Sequence, residues 1–135
     1  GEPDPYIHIF LDAGSDNVLA FFEIPNSPMM GRDENTPDWV QHIAFKVADE
    51  QTLLAAKEIL EKGGIEVVGP TNHHIFQSIY FRDPDGHRLE LAYDTASAEE
   101  MKKLNEIAPE MMVEWGLSKK TLKHTAWLHE DQFNT

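Results

Sequence analysis

"SIYFRDPDGHRLELAY", residues 78–93, reads as two β-strands joined by a tight turn. Asp83, Pro84 and Gly86 occupy positions i, i+1 and i+3 of that turn, the preference of type I. A type I turn followed by a left-handed glycine is the three-residue hairpin loop with a bulge at Gly86. This register sets Asp83 opposite His87 and Tyr80 opposite Glu90 on one face. A two-residue loop would set Tyr80 against Leu89 instead, so the bulge decides which face each side chain takes. With the bulge, Phe81, Leu89 and Leu91 share the other, apolar face. The register also opposes Arg82 to Arg88, a like-charge pair tolerated when its members are solvated or bind an anion.

Working outward, "WVQHIAFKVA" (39–48) reads as another strand of the same kind. Ile43, Phe45 and Val47 alternate on one side, with His42, Ala44 and Lys46 on the other. "DEQTLLAAKEILEKGG" follows as a helix whose stripe is Leu53, Ala56, Ile59 and Leu60, and Gly63–Gly64 supply its stop. "IEVVGP" (65–70) gives the next strand. Residues 39–95 thus form a β-α-β-β-β module, with a dry side for the helix and a side offering His42, Tyr80 and Glu90. Residues 1–24 hold two β-runs around "DAGSDN", a hairpin; residues 25–38, with three prolines, form a linker. Residues 96–135 begin with the capping box "SAEE" (97–100). That box opens a helix with Met101, Leu104, Ala108, Met111 and Trp115 at helical spacing, and Pro109 is expected to kink or interrupt it.

Bulk properties exclude several function classes. With 135 residues the chain is one ordinary α+β domain, and 41% hydrophobic content makes it globular. Its net charge of −13 repels phosphate backbones and anionic membranes, so neither nucleic acid nor a membrane is an expected partner. There is no cysteine, which removes disulfides and thiolate chemistry and fits a reducing cytoplasm. A histidine and a carboxylate on one sheet face are ligand types for iron, zinc, nickel or manganese. From pattern alone the alternative stays open: a hydrogen-bonded structural histidine and a solvent-facing glutamate on a half-exposed sheet.

The run "HIAFKV…L…AA…L…GG…VVGP…HH…SIYFRDPDGHRLEL" closely resembles the vicinal oxygen chelate superfamily. That group includes glyoxalase I, extradiol dioxygenases, methylmalonyl-CoA epimerase and the fosfomycin and bleomycin resistance proteins. The resemblance covers about residues 6–93. It implies paired β-α-β-β-β modules forming a cup-shaped mixed sheet around a divalent metal, with His42 and Glu90 as ligands. The first module of the family begins with a strand carrying a further histidine, then a helix. This sequence starts at what resembles that module's third strand, so the first module is expected to be truncated. Exposed strand edges then invite pairing, and a homodimer is expected. His8 in "YIHIF" does not match the missing ligand and reads as structural.

By resemblance, the first reading is an extradiol, catechol ring-cleaving dioxygenase using Fe(II) and O₂. Tyr80, ten residues before Glu90, matches the substrate-binding tyrosine of that group. His73 in "GPTNHH", with His74 as its neighbouring alternative, matches the acid–base histidine. Glyoxalase I is the second reading. It places Glu23 of "LAFFEIP" as an extra ligand to Ni or Zn, and a hemithioacetal as substrate. A third reading is a metal-free cup that sequesters a small molecule in the manner of bleomycin-binding proteins, with Trp39 stacking on the ligand. His124 and His129, five residues apart in the tail, do not share one helical face and are not assigned to a metal.

Overall fold

The computed structural model describes residues 4–28 and 31–119 of the chain. It is α+β, with eight elements in the order β1 (Ile7–Asp12), β2 (Val18–Glu23), β3 (His42–Lys46), α1 (Glu50–Lys62), β4 (Val68–Asn72), β5 (Phe76–Arg82), β6 (Arg88–Asp94) and α2 (Ala98–Ser118).

Strands β3 to β6 form one mixed sheet in the order β3-β6-β5-β4. β3 runs parallel to β6, pairing His42 with Arg88 and Ala44 with Glu90. A parallel pair needs a crossover, and α1 with the β4–β5 hairpin supplies it. β5 and β6 are antiparallel, with Tyr80 opposite Glu90, Phe81 opposite Leu89, and Arg82 opposite Arg88. The turn between them is the bulged one: Asp83 N–H donates to His87 O at 3.0 Å, and Gly86 takes φ +88°. The Asp83 carboxylate holds the loop by accepting from the backbone of Asp85 and His87.

α1 starts at Asp49, whose side chain accepts from Thr52 N–H, and it packs on β5 and β6. Leu53 from the helix and Ile79 from the sheet are both fully buried. The helical stripe differs from expectation at one residue, because Ile59 is 70% exposed. Ile59 lies about 240° round the helix from Leu53, whereas Ala56, Lys57 and Leu60 fall close to the Leu53 meridian. β4 begins at Val68, not Ile65, because the chain leaving α1 is still closing the helix, with Ile65 N–H donating to Leu60 O. Its register shifts between Val68 and Thr71, where Pro70 has no amide to give the ladder. Gly69 there has φ +109°, and a Cβ would lie 2.6 Å from Ser78 O, so the close approach of β4 to β5 requires glycine. β3 begins at His42, leaving Trp39 and Val40 in the preceding turn.

β1 and β2 form a two-stranded sheet of their own. Tyr6, His8, Phe10 and Phe22 cluster on one side of that hairpin, with His8 4.6 Å from Phe10 and 5.1 Å from Phe22 between ring centroids. His8 is thus one ring of an aromatic cluster. α2 opens with the expected capping box at Ser97 and Glu100, but it continues through Pro109 without interruption. The helix loses only the amide that Asn105 O would otherwise accept. Among the described residues neither the hairpin nor α2 packs on another element, and Met101 and Trp115 of the helical stripe are exposed. No helix among the described residues is long and apolar enough to cross a membrane. His124 and His129 lie outside the described residues.

Candidate metal centre

The alternation of β5 and β6 decides which side chains meet. Leu89, Leu91, Ile79 and Phe81 turn toward α1, so Arg88, Glu90, Ser78 and Tyr80 project from the opposite face. β3 adds His42 to that face beside Arg88. Glu90 sits in the middle strand pair, which explains how a carboxylate comes to be only 4% exposed between two leucines.

A buried carboxylate needs partners, and this one has three. His42 Nε2 lies 2.8 Å from Glu90 Oε2. Ser78 Oγ–H, on a fully buried residue, donates to Oε1, and Tyr80 OH donates to the same oxygen at 3.2 Å. Beyond Tyr80, His73 Nε2 lies 2.7 Å from the phenol oxygen, and the His73 ring stacks on Phe76 with centroids 4.7 Å apart. A continuous hydrogen-bonded path therefore runs His73–Tyr80–Glu90–His42. Burial, followed by the negative charge of Glu90, raises the Tyr80 phenol above its ordinary 10.0, so it is a neutral donor at physiological pH.

The sequence candidates sort cleanly. His42, Glu90, Tyr80 and His73 come together. His74 instead takes a left-handed φ of +70° in the β4–β5 turn, where its carbonyl accepts from Thr95 Oγ1 at 2.9 Å. Glu23 pairs with Ile7 at the end of the hairpin and joins none of these residues. Ser78 went unassigned in the sequence. Its signal was the two-residue alternation from Tyr80, which puts both hydroxyls on the face of Glu90.

Imidazole nitrogen and carboxylate oxygen, 2.8 Å apart, are suitable donors for Fe, Zn, Ni or Mn. The second nitrogen of His42, Nδ1, faces Val40 O at 3.3 Å, the outer contact that orients a ligating imidazole. The pair fits two positions of a divalent ion. Among the described residues no group of three His, Cys, Asp or Glu side chains gathers.

Comparison with known proteins gives the family. The model of the Glyoxalase/Bleomycin resistance protein/Dioxygenase superfamily matches residues 1–91. The chain belongs to that superfamily. Metallothiol transferase FosB of Shouchella clausii (strain KSM-K16) is 32% identical over 119 residues, spanning 80% of each chain. Putative ring-cleaving dioxygenase MhqA of Bacillus subtilis (strain 168) is 27% identical over 86 residues, 64% of this chain. The matched part is 27% of that protein's length. Among solved structures, the glyoxalase I of Leishmania major is 25% identical with a TM-score of 0.48, over 85% of this chain and 73% of that one. The two curated relatives carry the names of two different reactions, and residue chemistry has to distinguish them.

Proposed function

We propose that the chain carries the metal-binding β-α-β-β-β module of an extradiol, catechol ring-cleaving dioxygenase that uses Fe(II). The observation that carries this reading is the path from His73 through Tyr80 to Glu90 and His42. That path places an imidazole, through a tyrosine, beside the proposed ligands. A site that deprotonates a diol can use such an imidazole as its base. The similarity to a putative ring-cleaving dioxygenase supports it.

His42 and Glu90 would hold the ion. When bound, the ion supplies Lewis acidity toward the two oxygens of a vicinal diol and a binding position for O₂. The protein's own part is proton handling and orientation. Tyr80, kept neutral by burial, donates to Glu90 Oε1 and presents its phenol oxygen to His73 Nε2. His73 accepts a proton from a diol hydroxyl and returns it to the cleaved product, a general acid–base task for an imidazole. Ser78 fixes the rotamer of Glu90 from below.

A metal-dependent transfer of a thiol to a small electrophile is the second reading, favoured by the FosB match over 80% of both chains. The glyoxalase reading requires Glu23 as a ligand, and Glu23 does not reach the cluster. Two assays decide. Catechols offered to the Fe(II)-loaded protein are expected to consume O₂ and give a yellow ring-opened product, with His73→Ala at least about 100-fold slower. Consumption of a thiol with an epoxide, and no oxygen uptake, would reject ring cleavage in favour of transfer.

A further inference from the structure

The proposed site has a cationic neighbour that metal chemistry leaves without a role. Arg88 and Arg82 oppose each other across β5 and β6, a like-charge cross-strand pair. Arg82 is neutralised in part: it joins the Asp38 carboxylate and donates to Gly86 O at 2.8 Å. That same Asp38 also pairs with Arg32, so one carboxylate serves two guanidinium groups. Arg88 has no ion pair among the described residues. Its guanidinium carbon lies 4.4 Å from the centroid of the Tyr80 ring, and its Nε is buried with no hydrogen-bond partner there. Arg32 and Arg82 thus share the one Asp38 carboxylate, which does not pair with Arg88.

Between these groups is a cavity of about 140 Å³ lined by Arg32, Gln41, Arg82, His87 and Arg88. At about 30 Å³ per water it holds a small oxyanion with some of its hydration. A larger cavity of about 480 Å³ adjoins it, sharing Arg82 and Arg88 and reaching Tyr80. Glu66 and Asp83 also line that larger space, and the Asp83 carboxylate is engaged by the loop amides. Arg88 thus stands between the Tyr80–Glu90 path and a pocket rich in guanidinium groups.

We propose that Arg88, backed by Arg82 and Arg32, is an oxyanion site, and that it anchors a carboxylate or phosphonate carried by the substrate. Arginine suits this because its planar fork offers parallel donors to two oxygens, while stacking on Tyr80 fixes the fork's orientation. Such an anchor sets the substrate's reacting end at the His42–Glu90 side of Tyr80. The substrate assignment rests on the metal-centre reading above; the anion site does not.

Inorganic phosphate, titrated into the metal-free protein and followed by calorimetry, tests the site. Binding is expected in wild type, weakened at least about tenfold in Arg88→Gln and less in Arg88→Lys, since charged hydrogen bonds contribute about 1.5–3 kcal/mol. A Lys102→Gln control is expected to bind as wild type does. Circular dichroism verifies that each variant is folded. Benzoate and methylphosphonate run in parallel assign the anchored group, the one whose affinity depends more on Arg88 being the substrate's. Equal phosphate affinity in wild type and Arg88→Gln overturns the proposal, as does no phosphate binding by wild type. Metal content, measured on the same variants purified without chelator, separates the two readings: Arg88→Gln is expected to keep its metal whatever the anion result.

Discussion

Replacing Ser78 by alanine deletes one oxygen from a residue with no exposed surface, and the consequence can be worked out from its neighbours. The lost hydroxyl is a donor to Glu90 Oε1. Tyr80 still reaches that oxygen at 3.2 Å and His42 still faces the other at 2.8 Å, so no acceptor is stranded. Hydrogen bonds to charged groups contribute about 1.5–3 kcal/mol, and the surviving partners place Ser78→Ala near the lower end, about 1.5–2 kcal/mol. For a domain of this size that lowers Tm by about 5–8 °C. The same bond locks the carboxylate's rotamer, so metal affinity should fall about 10–100-fold. Thermal unfolding with and without chelator, beside a metal titration, measures both effects. A variant with wild-type Tm and wild-type metal affinity would show that the buried Ser78–Glu90 contact does not organise the site.

Four further outcomes are expected. His73→Ala should retain wild-type metal content while turnover drops by about 10²–10⁴, measured as kcat on the best substrate; loss of metal in this variant would make His73 a ligand rather than a proton carrier. Tyr80 should ionise above the ordinary 10.0, because burial and Glu90 disfavour its anion. The folded state then holds that proton more tightly than the unfolded one, so stability is unaffected below about pH 10 and declines as pH rises toward the raised value. Absorbance titration of wild type minus Tyr80→Phe reads this phenol directly, and a midpoint at or below 10 would contradict the stated cause. Leu53→Ala, at the fully buried contact of α1 with the sheet, should destabilise by about 2–5 kcal/mol in denaturant unfolding. Gly69→Ala should cost about 1–3 kcal/mol through its positive φ and its approach to Ser78 O, and should disturb the Ser78–Glu90 contact as a by-product; an unperturbed Tm would mean that β4 shifts freely.

The four-stranded sheet was legible because period-two alternation and one turn determine it. "DPDG" implies the bulge at Gly86, the bulge implies Tyr80 opposite Glu90, and the structure has that register. The convergence of His42 followed from alternation in β3 once β3 lay beside β6. Ser78 and the partnerless Nε of Arg88 were harder to read, because both depend on diagonal contacts and rotamers that pairing rules do not specify. Ile59, and the expected interruption at Pro109, differ from the structure for related reasons. An apolar residue at i+6 resembles a stripe member in a short window, and helix breaking by proline is a local cost that a long capped helix absorbs. By sequence His73 was the first choice and His74 its neighbouring alternative; in the structure His73 meets Tyr80, while His74 takes a left-handed turn.

The central claim is that His42 and Glu90 hold a divalent metal, and its most direct test is elemental analysis of the protein purified without chelator or added metal. Wild type, Glu90→Gln and His42→Ala are measured together, with folding verified by circular dichroism. The account predicts stoichiometric metal in wild type, iron above all, and its loss in both variants. Full metal content in either variant, or a wild-type protein that takes up no divalent metal even when Fe(II), Zn(II), Ni(II) and Mn(II) are offered, would contradict it.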